Sequence, residues 1–198
     1  QLHPEFHPMP KVAGRGIYVG SLSSFKNTQE FQVTIPVLLE KTATKEFIVI
    51  GHGSHVRQIR KLRERYKERL RYIPGLPRSK ALELISSSEY GYTPVKVGGW
   101  GFMLDCWASG TPLVTTHNDG YVTPMCNAIV VAGPSDLASA VNRLHEDQGL
   151  YQKLRENGFR TYREHSPEAV ASRLQAILKQ TYEATRAIQA SLQSASKL

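Results

Sequence analysis

Short runs of apolar and β-branched residues alternate along the chain with longer segments in which apolar residues recur every three or four positions. The short runs predict strands, and several are almost continuously apolar, as strands covered on both faces of a sheet are. The longer segments predict amphipathic helices. The predicted strands lie at 16–20, 46–51, 69–73, 89–93, 112–116 and 127–133, and the helices between the first five at 27–41, 54–68, 78–87 and 101–109.

This alternation predicts an α/β fold, namely a Rossmann-like open parallel sheet of about six strands with helices on both faces. Pro36 predicts a kink or a late start in the first helix, and Ser135 is a candidate N-cap for a helix after the last strand. Ser166 followed by Pro167 marks the start of a long last helix. We expect a linker segment at 1–11, the sheet domain at 12–165, the C-terminal helix at 166–190 and a frayed tail at 191–198.

Composition excludes several classes of protein. With 198 residues, 40% of them hydrophobic and 21% charged, the chain has the composition of a globular domain. No run approaches the roughly 18 to 20 apolar residues that span a bilayer. The two cysteines and seven histidines show no metal-ligand spacing, so we expect no metal and a reducing, cytoplasmic environment.

The formal net charge of +8 indicates attraction to phosphate-rich partners. Much of the excess lies at 57–71, where Ile59 and Leu62 belong to an apolar stripe with helical spacing. A solvated helix face accounts for such a segment, and a surface for an anionic membrane or RNA is the open alternative. Nucleic acid is not an expected partner, because Tyr66 is the only aromatic residue among these basic residues.

Glycine-containing loops follow four of the predicted strands. In open α/β sheets ligands bind where the strands end, because the helices that follow direct free N–H groups at anions. The loop after the first strand contains Gly20, Ser21 and then Lys26, a flexible cation that could reach a phosphate. The loop after the second strand, 51–55, again has permissive backbone, and its histidines are expected to be polar loop residues rather than catalysts.

The loop after the fourth strand is the richest in glycine. Gly98, Gly99 and Gly101 allow close approach of backbone to a ligand, and a helix starting near Phe102 would direct N–H groups at it. A diphosphate suits this arrangement. Asp105, one turn into the helix, could accept hydrogen bonds from sugar hydroxyls.

The segments PVKVGGWGF (94–102) and DCWASGTPLV (105–114) resemble a known pattern. They are similar to the donor-binding half of GT-B glycosyltransferases, in particular retaining family four (glycosyl transferases group 1). There P-S-x-x-E-G-F-G-L precedes a glutamate and A-x-A-x-G-T-P-V-V. YVGSLSSFKN, FIVIGHGS and NAIVVAGPSDLASAVNRLHED are similar to other parts of that domain, so the resemblance covers about residues 12 to 182.

The resemblance implies that a nucleoside-diphosphate sugar binds here as substrate, with no cofactor and no metal. It implies roles for eleven residues, which are Gly20, Ser21, Lys26, Gly99, Gly101, Phe102 and Met103 at the diphosphate, Asp105 at the ribose, Ile73 and Pro74 at the base, and Gly98 near the donor sugar. The chain departs from the family pattern at two of them. Gly98 replaces the first glutamate, one residue closer to Asp105 than usual, and Ser21 replaces a common arginine.

The implied function is hexosyl transfer from a nucleotide sugar to an acceptor with retention. In such enzymes the acceptor and catalytic residues lie largely on an N-terminal domain, so we expect this chain to be the C-terminal part of a longer enzyme and inactive alone. Its last helix would cross toward that domain. We expect a cytoplasmic protein with a possible peripheral contact at the inner face of an anionic membrane. Two alternatives stay open, a nucleotide-sugar epimerase of the same fold and a non-enzymatic binding module that uses the basic helix.

Overall fold

The computed structural model describes residues 9–95, 100–116 and 120–195, and its centre is a six-stranded sheet. Every neighbouring pair of strands is parallel. The strands are β1 (Val12–Val19), β2 (Glu46–Ile50), β3 (Leu70–Ile73), β4 (Ser88–Thr93), β5 (Leu113–Thr115) and β6 (Ala128–Val130). All six coincide with predicted strands, so the predicted open parallel sheet is confirmed.

The strand order is β3-β2-β1-β4-β5-β6. From β1 the chain moves outward through β2 to β3, returns to the centre, and then continues through β4 to the other edge. Because the direction of winding reverses between β1 and β4, the loops that follow these two strands diverge and leave a crevice. The topology therefore places the expected ligand site at the carboxyl ends of β1 and β4.

The described residues form seven helices. They are α1 (Phe31–Lys41), α2 (Val56–Tyr66), α3 (Arg78–Ser87), α4 (Trp100–Ala108), α5 (Pro134–Glu146), α6 (Gln148–Glu164) and α7 (Pro167–Ala195). Helix α1 packs beside α2 and α5, whereas α3 packs beside α4. The connections between parallel strands are right-handed crossovers. Because the chain winds in opposite directions on the two sides of the sheet, these crossovers place the two groups of helices on opposite faces.

The core lies between the sheet and its helices. Phe47, Ile48 and Val49 are consecutive in β2 and fully buried, as expected of a strand covered on both faces. Tyr90 in β4 and Trp107 in α4 are among the largest buried side chains. Burial of each large apolar side chain contributes about 1.5 to 3 kcal/mol, so these residues fix the strands that carry the loops.

Two predicted helix starts need correction. Helix α1 begins at Phe31 rather than at 27, because Asn27 adopts a left-handed conformation (φ 54°) between two short 3-10 turns, and Pro36 lies inside the helix. Helix α5 begins at Pro134 with Gly133 as its N-cap, so Ser135 is not the cap. Proline is favoured at the first helical position because its missing N–H would have no acceptor there.

Residues 162–198 form a second compact unit, which contains α7. The helix continues to Ala195, so residues 191–195, expected to fray, are helical. No glycine or proline follows Pro167 to stop it. Apolar residues of this helix are 48–63% exposed, among them Val170, Leu174, Ile177, Leu178 and Tyr182. Within the described ranges, none of the helices combines the length and apolar character that a membrane span requires.

Candidate functional site

A cavity of about 220 Å³ lies where the winding of the sheet reverses. Its walls come from the end of β1 and its following loop, from the end of β4 and from the first turn of α4. The lining residues are Tyr18, Val19, Gly20, Lys26, Thr93, Trp100, Gly101 and Phe102. Four residues predicted at the diphosphate, in three separate parts of the sequence, are thus brought together (Gly20, Lys26, Gly101 and Phe102).

Lys26 ends a 3-10 turn over Ser24–Lys26, and Asn27 fixes this turn in place. The Asn27 side chain is buried, and its Nδ2 donates to the carbonyl of Pro94 at the end of β4 over 2.9 Å. The Lys26 side chain forms no hydrogen bond or ion pair with the described residues, and its Nζ lies 4.9 Å from the centre of the Phe25 ring. The cavity therefore has an anchored turn that presents an ammonium group without a carboxylate partner.

His55 holds the same turn from the side of β2. Its ring is 8% exposed, with Nδ1 2.8 Å from Thr28 Oγ1 and Nε2 3.2 Å from Ser24 Oγ. Its backbone N–H donates to the carbonyl of Leu22 over 3.0 Å. The sequence analysis treated His55 only as a polar loop residue. The sequence contains no signal for its partners, because the contact with Thr28 joins residues 27 positions apart.

The glycines of the loop after β2 have a structural role. A Cβ atom on Gly51 (φ 149°) would lie 1.8 Å from the carbonyl oxygen of Gly20, and one on Gly53 (φ 147°) would lie 2.3 Å from that of Leu22. The N–H of Leu22 also donates to the carbonyl of His52 over 2.8 Å. These glycines let the loops after β1 and β2 pack against each other. This packing explains why the loop after β2 contains glycines, and no ligand contact is needed to explain them.

Helix α4 begins at Trp100, two residues before the predicted start at Phe102. Gly101 and Phe102 thus lie in the first turn, where N–H groups lack acceptors within the helix and the helix dipole favours anions. Among the described residues, no atom beyond this stretch of the helix itself lies within 4 Å of the place where a Gly101 Cβ would be, so this backbone is open to a ligand. The Met103 side chain is fully buried, which leaves only its backbone for the predicted role. Gly98 and Gly99 lie outside the described residues.

The other end of α4 explains the most specific part of the sequence pattern. Gly110 has φ 57° and its N–H donates to the carbonyl of Trp107, and the N–H of Thr111 donates to the carbonyl of Cys106. This pair of bonds is a Schellman C-cap, and it ends α4 at Ala108, one residue before the end predicted at 109. Thr111 Oγ1 donates to the carbonyl of Ile85 over 2.8 Å and so ties the cap to α3. The Gly-Thr-Pro segment therefore builds the fold rather than the cavity.

Asp105 lies in the second turn of α4 and is paired. Its side chain is 10% exposed and accepts two hydrogen bonds from Arg78, with Nη2 2.7 Å from Oδ1 and Nη1 3.2 Å from Oδ2. Burial raises the pKa of Asp105, and the Arg78 guanidinium acts in the opposite direction. Arg78 is the first residue of α3, and the sequence analysis did not identify it.

Three other predicted residues do not line the cavity. Ser21 is exposed, its carbonyl accepts from the Tyr18 hydroxyl over 2.9 Å, and its Oγ donates to Ser23. Ile73 is half-buried, and its carbonyl accepts from the N–H of Gly51 over 3.0 Å, while Pro74 is exposed. The contact of Ile73 and Pro74 with a base stays a prediction.

A larger concavity of about 640 Å³ lies at the amino ends of β2 and β3. Its lining mixes basic and acidic side chains on an exposed surface, which are Glu46, Arg60, Arg63, Glu64, Lys67, Glu68 and Arg71 around Leu70. Ligands of open parallel sheets bind at the opposite, carboxyl ends. We therefore take the smaller cavity as the candidate site. Among the described side chains, no three of His, Cys, Asp or Glu converge as a metal site would require, and the absence of a metal stays a prediction.

The comparison with protein families gives one match. The family described as glycosyl transferases group 1 matches residues 14–147, which is more than half of the chain and includes every residue of the cavity. The search of curated proteins finds no match.

Solved structures share the fold at low sequence identity. A point mutant of S. aureus TarM, in complex with fondaparinux, alpha-GlcNAc-glycerol and UDP, superposes with a TM-score of 0.72 at 13% identity over 87% of this chain and 37% of that one. Alr3699/HepE of Anabaena in complex with UDP gives 0.67 at 15% identity over 86% and 49%. The C-terminal domain of the group 1 protein LpcC of Francisella tularensis gives 0.64 at 19% identity over 79% and 87%. The chain thus spans about a third to half of the first two proteins and most of an isolated C-terminal domain.

Proposed function

The chain belongs to the group 1 glycosyltransferases, and on that premise we propose that its cavity binds the diphosphate of a nucleotide-sugar donor. The parent enzyme would transfer a hexosyl group with retention to an acceptor held on an N-terminal domain, and this chain alone would bind nucleotide without transferring sugar. The presence of UDP in the TarM and HepE structures supports a nucleoside diphosphate as ligand.

The observation that carries the proposal is the meeting of Lys26 with the first turn of α4. Lys26 lines the same cavity as Gly101 and Phe102 and has no anionic partner among the described residues. A diphosphate would supply the missing negative charge, and the N–H groups of the helix start would donate to its oxygens. Both contacts strengthen as charge develops on a departing diphosphate, so the same groups would assist transfer without a metal.

Titration calorimetry of UDP, GDP and ADP into the chain tests this proposal and identifies the base. We expect one nucleotide to bind saturably. Lys26→Ala should weaken its affinity by about tenfold or more, because a hydrogen bond to a charged group contributes roughly 1.5 to 3 kcal/mol. Lys67→Ala is the matched control, since Lys67 is an exposed lysine at the larger concavity. Binding of no nucleotide, or equal affinity in the Lys26→Ala variant, would contradict the proposal.

The epimerase alternative has little support in this structure. Epimerisation of a nucleotide sugar would need catalytic acids across the cleft. Among the described carboxylates, Asp105 is the most deeply buried, and Arg78 already pairs with it. The donor-binding role of a glycosyltransferase needs no such pair of acids.

A second proposal concerns the basic segment 57–71. It carries eight arginines or lysines and two glutamates, and all ten are exposed. Arg65 pairs with Glu40, and Arg69 donates to the carbonyls of Leu39 and Thr44, whereas the other six cations form no ion pair among the described residues. Tyr66 is only 9% exposed, so the helix offers no aromatic surface for stacking bases. We propose that this surface contacts an anionic membrane at the cytoplasmic face.

Vesicle sedimentation tests this second proposal. We expect binding to phosphatidylglycerol vesicles at low salt, loss of binding at high salt because exposed charges are screened, and no binding to phosphatidylcholine vesicles. The double variant Arg60→Ala/Lys61→Ala should bind more weakly than Lys153→Ala, which removes an exposed lysine of α6. Binding that ignores both salt and lipid charge would rule out this contact.

A further inference from the structure

The pairing of Arg78 with Asp105 joins the start of α3 to the second turn of α4. Arg78 is the first residue of α3, directly after the loop 74–77 that follows β3, and Asp105 lies on α4, which contributes Trp100, Gly101 and Phe102 to the cavity. The Arg78 side chain is 54% exposed and the Asp105 side chain 10%. The guanidinium therefore lies on the solvent side of a nearly buried carboxylate.

The position of Arg78 is unfavourable for the helix that carries it. A cation in the first turn of a helix opposes the macrodipole, and the first turn of α3 contains Arg78 and Lys80 but no acid. Helix formation alone therefore does not explain an arginine at this position. The carboxylate of Asp105 does explain it, because a buried charge needs a partner and an arginine can satisfy both oxygens in one plane.

The number of acceptor sites limits what Asp105 can do in this pair. A carboxylate has about four lone-pair positions, two on each oxygen. Arg78 occupies one on each, and no other side chain of the described part of the chain bonds to Asp105. One position on each oxygen stays available. Because Arg78 bonds both oxygens from one side, the two free positions point away from each other, and each can receive one hydroxyl.

We propose that Arg78 is a positioning residue for ribose recognition, which orients the Asp105 carboxylate so that a free acceptor position on one of its oxygens receives a hydroxyl of the ribose. This inference rests on the proposed function, because it assumes that a nucleotide occupies the cavity. Arg78 acts through Asp105 and makes no contact with the reacting atoms.

The test compares UDP with 2′,3′-dideoxy-UDP, which lacks both hydroxyls. The wild-type chain should bind UDP about tenfold more tightly than the dideoxy compound, given the usual strength of hydrogen bonds to a charged group. Arg78→Ala should reduce this ratio to about twofold at pH 8, chiefly through loss of UDP affinity, and leave the affinity for the dideoxy compound within about twofold. Arg78→Lys should give an intermediate ratio, because one ammonium cannot satisfy both carboxylate oxygens in a plane. Lys80→Ala, two residues along α3, is the matched control and should keep the wild-type ratio.

The pH dependence of the ratio separates positioning from a merely structural tie between α3 and α4. Without Arg78, burial should keep the pKa of Asp105 raised with nothing to oppose it, so the ratio in Arg78→Ala should fall further as the pH is lowered, and it should do so at a higher pH than in the wild-type chain. The phosphate groups titrate alike in both compounds and cancel from the ratio. Asp105→Asn should bind UDP and the dideoxy compound with nearly equal affinity at every pH.

The outcomes separate this inference from the proposed function. Wild-type binding of UDP without preference over the dideoxy compound would overturn the inference and leave nucleotide binding intact. An equal loss of affinity for both compounds in Arg78→Ala, or no loss of affinity for either, would also overturn it. If the titration selects GDP or ADP instead of UDP, the same comparison is made with its 2′,3′-dideoxy form; if no nucleotide binds the wild-type chain, the proposed function fails and the inference fails with it.

Discussion

The two ends of the sheet use charged residues in opposite ways. At the amino ends, Glu89 lies 2.9 Å from His145 and accepts the N–H of Gly14, and Lys11 donates to Thr111 over 2.7 Å. The Lys11, Glu89 and His145 side chains are half-buried and each forms a hydrogen bond within the protein, although His145 Nε2 has no partner among the described residues. At the carboxyl ends, the buried polar groups hold a turn in place, and the ammonium of Lys26 is left at the cavity without an anionic partner among the described residues.

This difference shows why cavity size is a poor guide to the site in this molecule. The larger concavity at the amino ends is lined by both signs of charge, which solvent and neighbouring side chains can balance. The smaller cavity combines open backbone at Gly101, a helix start and an unbalanced cation. A diphosphate would complete the second arrangement, whereas the lining of the first includes no start of an α-helix to bind one.

The largest effect should come from adding one methyl group at the carboxyl end. Gly51→Ala would place Cβ 1.8 Å from the carbonyl oxygen of Gly20 in a backbone conformation that alanine avoids. We expect the free energy of unfolding to fall by about 3 kcal/mol, from strain and overpacking together. Chemical denaturation measures this loss. Gly75→Ala is the matched control, because no atom lies within 4 Å of its added Cβ. Equal stability of the two variants would mean that the two loops do not pack as described.

The next effect should come from the buried pair at the amino end. Burial would raise the pKa of Glu89, but the hydrogen bonds from His145 and Gly14 outweigh it, and the pKa is lowered below 4.5. Glu89→Gln should therefore lower the free energy of unfolding at pH 7 by about 2 kcal/mol and leave nucleotide affinity unchanged. Glu83→Gln, at an exposed pair with Lys80, should change stability little.

The same pair predicts a pH dependence. A carboxyl whose pKa is lowered by folding stabilises the fold above its unfolded value, and this stabilisation is lost as the pH falls from 4.5 through the folded pKa. Denaturation curves between pH 7 and pH 3 should show that the free energy of unfolding of the wild-type chain falls. The fall should be smaller in Glu89→Gln. Parallel curves for the two proteins would contradict this account of Glu89.

A smaller effect is expected at His55, which links stability to the site. His55→Ala removes the contacts with Thr28 and Ser24 that hold the Lys26 turn. We expect a loss of about 1 kcal/mol in stability and about threefold in UDP affinity, since the turn would be less well placed. His52→Ala, an exposed histidine of the same loop, provides the comparison. An unchanged UDP affinity in His55→Ala would remove His55 from the support of the site.

The smallest effect is expected at the larger concavity. Arg63→Ala removes an exposed cation that forms no ion pair with the described residues. Stability should change by less than about 0.5 kcal/mol, and UDP affinity should stay within about twofold. Calorimetry beside Lys26→Ala makes the contrast between the two ends quantitative. A loss of UDP affinity as large as that of Lys26→Ala would place the nucleotide at the amino ends of the strands, contrary to this account.

The fold could be predicted from the sequence because its signals are local. Apolar periodicity located all six strands, and Gly110 marked the end of α4 by the left-handed conformation that its position needs. Where the prediction was wrong, a competing local feature decided the outcome. Asn27 interrupts the first helix, and Pro134 takes the start of α5 from Ser135.

The site could be predicted only in part. Lys26 and Gly101 were found because each lies in a loop after a strand, and the winding of the sheet brings those loops together. His55 and Arg78 were missed, since each acts through a contact with a residue 27 positions away that no periodicity or motif records. Gly51 and Gly53 suggested ligand contact but serve the packing of two loops, a distinction that depends on distances between carbonyl oxygens and absent Cβ atoms.

The central claim, that the nucleotide binds at the carboxyl ends of β1 and β4, is tested most directly by a titration of the ¹⁵N-labelled chain with UDP, followed by amide chemical shifts. The account predicts that the largest changes fall on Gly20, Lys26, Gly101 and Phe102, with little change at Arg63, Lys67 and Arg71. Changes concentrated on the second group, with the first group unmoved, would contradict it.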